Sequence, residues 1–96
     1  MIGKNIKDMS AVELIEFLRS AERCDIELDR SPFGFDLRFI PLTSYNSSIS
    51  NMEMIAEWAK LHKHTISVGY DSFKEAIVVR IRKLFPDEMY KDEELL

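Results

Sequence analysis

Residues Phe73 to Phe85 read FKEAIVVRIRKLF, and the fold turns on whether they coil or extend. Phe73, Ile77, Ile81, Leu84 and Phe85 fit a helical stripe, with Ser72 and Glu75 placed to cap it. Ile77, Val79 and Ile81 also alternate with Val78, Arg80 and Arg82, which is the period of a half-buried strand. The run Ile77-Val78-Val79 is β-branched, and such side chains lose rotamer freedom in a helix but fit a pleated surface. An upstream match tips the balance toward a strand.

Sliding the chain by forty residues lays Ser10 on Ser50, Glu13 on Glu53, Ile15 on Ile55, Leu18 on Trp58, Ile26 on Ile66 and Phe33 on Phe73. Beyond that turn an offset of forty-two lays Leu37 on Val79, Arg38 on Arg80 and Leu42 on Leu84. The sequence therefore reads as two equivalent halves, 10–42 and 50–84, within a single domain spanning 1–96. Each half opens on a capping box, Ser10 with Glu13 and Ser50 with Glu53. An apolar staple accompanies each box: Met9 with Leu14, and Ile49 with Met54. The inward helical stripes are Leu14, Phe17, Leu18 and Ala21, then Met54, Ile55, Trp58, Ala59 and Leu61. Trp58 on such a stripe should be buried, with its indole N–H bonded to an acceptor.

After each helix the period becomes two. Cys24, Ile26 and Leu28 alternate with Asp25, Glu27 and Asp29, and Phe35, Leu37 and Phe39 alternate with Asp36 and Arg38. Ser31-Pro-Phe-Gly34 between them is a turn, so the pair is a β-hairpin. In the second half Ile66, Val68 and Tyr70 form the matching apolar face. The expected fold is α+β: two α-β-β units in tandem, forming a four-stranded antiparallel sheet with both helices on one face. A polar linker, 41–50, joins the halves, and 86–96 is a short terminal helix or acidic tail opened by Pro86, Asp87 and Glu88.

A net charge of −4 and a pI near 5.1 count against nucleic-acid binding, which favours a basic footprint. No apolar run is long enough to span a bilayer, and the residues after Met1 lack the apolar core of a secretory signal. One cysteine makes no internal disulfide, so the reading is cytoplasmic.

Catalytic signals are thin. Gly3, Gly34 and Gly69 are too scattered for a phosphate loop, and no Ser sits in a nucleophile elbow. Cys24 and His64 occupy equivalent positions and could approach each other as thiol and base, or as metal ligands with His62. A core role for Cys24 and a helix-end role for the histidines are simpler, and structural zinc needs four ligands. No catalytic, cofactor-binding or metal residue is therefore assigned, and the chain is read as not an enzyme.

The outward sheet face should pair Glu27 with Arg38 across the first hairpin and carry an acidic edge and a basic one. Partner-binding candidates are Glu27, Arg38, Arg80 and Arg82 on that face, with Phe33 and Phe73 at the two hairpin tips. The expected function is a small non-catalytic protein-interaction module of the inhibitor, immunity or accessory kind, as in phage and mobile elements, whose partner is another protein. The alternative is a small-molecule or enzymatic domain using the seam between the halves, with Cys24, His64, Trp58 and Tyr70. A third class is nucleic-acid binding through Arg38, Arg80 and Arg82, and a homodimer is left open.

Overall fold

The computed structural model describes residues 5–42, 49–85, 90 and 92–95. A 3-10 turn, Ile6–Asp8, leads into helix α1, Ala11–Ala21, and then a hairpin of β1, Cys24–Ser31, and β2, Gly34–Pro41. Helix α2, Met52–Leu61, precedes a second hairpin of β3, His64–Asp71, and β4, Ala76–Lys83; a short helix α3, Asp92–Leu95, follows. The α-β-β-α-β-β order is the expected one, and the ambiguous stretch is a strand from Ala76 to Lys83. Ser72 to Glu75 form the turn before it instead of a helix cap. The expected helix start at Pro86 to Glu88 and most of the linker lie outside the described residues.

All four strands join one antiparallel sheet in the order β1-β2-β4-β3. β3 is thus parallel to β2 but separated from it by β4, so β2-α2-β3 is a split β-α-β crossover. The most apolar strands take the centre, where both neighbours are strands and one face is core. Phe35 and Leu37 of β2 and Val79 and Ile81 of β4 are fully buried. The β2–β4 register pairs Leu37 with Val79, the two residues that the offset of forty-two equates.

Strand residues of one parity, Ile26, Phe35, Leu37, Phe39, Val79 and Ile81, share a core with Leu14, Ile15 and Leu18 of α1 and Ile55, Trp58 and Ala59 of α2. Both helices therefore cover the same face. Trp58 is 1% exposed, and its Nε1–H donates to the Met9 carbonyl at 2.7 Å, as an inward tryptophan requires. Its ring meets Phe35 edge-on, with centroids 6.2 Å apart. Met9 is buried beside α1, as the staple predicts. Two stripe residues are not inward: Ala21 and Leu61, each the last residue of its helix, are exposed.

The first capping box is present: Ser10 Oγ accepts from the Glu13 N–H at 3.2 Å, and Glu13 Oε1 accepts from the Ser10 N–H at 3.0 Å. The second is not. The N-cap of α2 is Asn51, whose side chain makes no cap bond, so Ser50 lies one place too early to cap. Ser50 Oγ instead donates to the Glu22 carboxylate at 2.8 Å. Glu22 ends α1, and its two oxygens also accept the backbone N–H groups of Ser50 at 2.9 Å and Asn51 at 3.2 Å, plus Asn51 Nδ2 at 3.2 Å. A carboxylate at the positive end of α2 thus does from a distance what a local cap would do.

Candidate functional site: the charged sheet face and the Phe73 loop

The face away from the helices is built by strand alternation. Register sets Glu27 opposite Arg38, Arg38 opposite Val78, and Val78 opposite Gly69. The expected Glu27–Arg38 pair forms, at 3.3 Å. Arg38 also meets Asp29 at 2.6 Å, and its Nε lies 3.2 Å from Asp71 Oδ2 without the alignment of a hydrogen bond. One guanidinium therefore holds three carboxylates. Its positive form is favoured further by Asp29, with smaller help from Glu27 and Asp71, against the opposing cost of desolvation.

Asp71 ties this lattice to the β3–β4 loop. Its Oδ1 accepts the N–H groups of Phe73 at 3.0 Å and Lys74 at 3.3 Å, an Asx turn that fixes the loop backbone. Lys74 Nζ then reaches Glu27 Oε1, on the far edge strand, at 2.7 Å. The hydrogen bond from Lys74 is the main reason the Glu27 carboxyl sits below its ordinary range. Val78 and Ala76 are buried on this outer side of β4, as a loop drawn toward the face would make them. At the loop's tip Phe73 is 99% exposed, with a backbone bond holding it in place.

The candidates thus divide by position. Glu27, Arg38 and Phe73 belong to one constellation, joined by Asp71 and Lys74, which the sequence reading did not single out. Arg82 pairs with Asp36 at 2.7 Å near the opposite end of the sheet, where Gly34 is its neighbour. The Arg80 guanidinium lies against Gly69, where an added Cβ would sit 2.4 Å from its Nη1. Phe33 lies at the other hairpin tip, half-buried, with φ of 63° and its carbonyl accepting the Lys83 N–H at 2.7 Å. Of the two tip aromatics, only Phe73 projects free. The acidic residues do line an edge, β1, but the arginine-bearing β4 is internal, so the expected basic edge is replaced by β3, which offers Thr65, Ser67 and Gly69.

The seam candidates are also separated. Cys24 and His64 lie on β1 and β3, at opposite edges and opposite ends of the sheet, and strand spacing and rise put them roughly 30 Å apart. The Cys24 thiol is pushed up by burial, and further by Glu22 and Asp25, which disfavours a nucleophilic thiolate. Tyr70 is at the far end of β3 from His64. His64 and Trp58 do meet, with ring centroids 5.1 Å apart, and His62 stacks on Trp58 at 4.4 Å. His64 Nδ1–H donates to the His62 carbonyl at 2.6 Å, leaving Nε2 to accept from the Tyr90 hydroxyl at 2.5 Å. Burial depresses the His64 imidazolium, outweighing the His62 carbonyl, and raises the Tyr90 phenol to about 12. Both are neutral at physiological pH, a structural pair that anchors the C-terminal segment to the core. No group of three or more metal-ligating side chains occurs among the described residues. Comparison with protein-family models, with curated proteins and with solved structures finds no match.

Proposed function

We propose that the protein is a non-catalytic protein-interaction module that docks through the Phe73 loop and its charged surround. The carrying observation is the fully exposed Phe73 on a backbone fixed by Asp71. A large apolar ring in water, pre-positioned at low entropic cost, suits an anchor for a partner's pocket. Glu27, Arg38, Asp71 and Lys74 supply a polar rim of mixed sign, which favours register and selectivity over raw affinity. The roles this reading covers are those of an inhibitor, immunity or accessory protein, as in phage and mobile elements. The neutralised arginines support a protein partner over a nucleic acid, because Arg38 and Arg82 already hold carboxylates.

The test compares the tagged chain with Phe73→Ala and Phe85→Ala as baits under matched salt. A partner held by the wild type and by Phe85→Ala but lost from Phe73→Ala supports the assignment. Equal capture by all three, or none by any, removes it. A second reading, small-molecule binding, rests on the groove of about 480 Å³ between the start of α1 and Trp58, His62 and Tyr90. A metabolite that raises Tm by several degrees in wild type but not in a His62→Ala variant favours that reading.

A further inference from the structure

The two edges of the sheet differ in a way that the Phe73 surface does not explain. β1 carries Asp25, Glu27, Asp29 and Arg30, charges of the kind that keep an edge strand from pairing with another chain. β3 reads HTISVGYD, and from Thr65 to Tyr70 it has no charge and no proline. Its helix-side residues Val68 and Tyr70 continue the apolar face outward from Val79 and Ile77, yet they are 57% and 59% exposed. The outward backbone edge of β3 meets no strand among the described residues.

The geometry points to β3 as a self-association edge, at which two copies of the chain pair antiparallel, β3 to β3, and merge two four-stranded sheets into one. The strand is complementary to itself. With Val68 opposite its own copy, Ile66 falls opposite Tyr70, so every helix-side pair is apolar, and a two-fold axis keeps the two helix layers on the same side. On the other face Ser67 falls opposite Gly69 and Thr65 opposite Asp71, so no two like charges meet. The molecule already contains this arrangement at its centre, where β2 and β4 pair antiparallel about Leu37 and Val79. Pairing through a single strand buries little area, so the expected dissociation constant is about micromolar.

Sedimentation equilibrium of the full chain over a wide concentration series reads this directly. The expected wild-type mass rises from 11.2 kDa toward twice that value. Val68→Lys, a charge at an already exposed position, should weaken association at least tenfold, as should Tyr70→Lys. Asp25→Lys on the opposite edge and Phe73→Ala on the loop should leave it unchanged, which separates this interface from the Phe73 surface. Amide exchange in β3 should slow with concentration in the wild type and not in Val68→Lys. A wild type that stays monomeric throughout overturns the inference, as does a dimer that survives both lysine variants. A monomer whose β3 amides are protected only by a different protein assigns the edge to that protein and likewise overturns it.

Discussion

Glu22→Ala removes one carboxylate and, with it, the acceptor for four donors on the segment that starts α2. Glu22 is 7% exposed, and its oxygens take the Ser50 N–H and O–H, the Asn51 N–H and Asn51 Nδ2 at 2.8 to 3.2 Å. A hydrogen bond to a charged group contributes about 1.5–3 kcal/mol, but bonds that share one acceptor do not add. Ser50 is exposed, so water recovers part of the loss. The expected cost is about 2–3 kcal/mol, a large share of the 5–15 kcal/mol typical of a domain. The pH response separates this from lost packing. Burial alone would raise the Glu22 carboxyl, but the bonds from Ser50 and Asn51 outweigh it and hold it below its ordinary 4.5. A depressed folded value means that the stabilisation is fully present above 4.5 and fades as pH falls through the lower folded value. Urea unfolding of wild type, Glu22→Ala and Glu22→Gln should therefore show a gap at neutral pH that narrows in acid. A neutral-pH gap under about 0.5 kcal/mol, or a gap that does not change with pH, refutes this role of Glu22.

Trp58→Ala should cost about 3–5 kcal/mol by cavity formation, and native Trp58 fluorescence should be blue-shifted and move red on unfolding. Lys63, at φ of 57° just past α2, holds a conformation that favours glycine, so Lys63→Gly should raise stability by about 1 kcal/mol in a thermal melt. Gly34→Ala should lower stability by about 3 kcal/mol in chemical denaturation, because its Cβ would sit 1.9 Å from the Ile81 carbonyl oxygen of the neighbouring strand. Burial depresses His64, so its stabilising share is present above the ordinary 6.5 and lost as pH falls through the lower folded value; His64→Gln should flatten that part of the stability curve.

What the sequence revealed, and what it hid, follows the range of each interaction. Period and turn chemistry are local, so the strands and the Glu27–Arg38 pair could be read directly: Pro32-Phe33 leaves a two-residue loop, which fixes the register of the first hairpin. Ser50 matches the local pattern of a cap, but the group that claims its hydroxyl, Glu22, is twenty-eight positions upstream and invisible to any local pattern. Asp71 and Lys74 could not be attached to Arg38 and Glu27 until strand order placed β4, not β3, beside β2. The same order separated Cys24 from His64. Alternation places Val68 and Tyr70 on the helix side, as the register bears out, but it carries no information on how much of each stays in water. The expected stripe overran for a related reason: Ala21 and Leu61 have the right spacing but sit where their helices end.

Photocrosslinking at position 73 tests the docking surface most directly. A benzophenone side chain replacing Phe73 should cost no stability, since the native ring is 99% exposed. Irradiation in cells should yield one dominant covalent adduct with another protein, absent when the same group replaces exposed Phe85. Adducts that are equally abundant and diffuse at both positions, or no adduct at 73, would contradict the assignment of the Phe73 loop as the partner-binding surface.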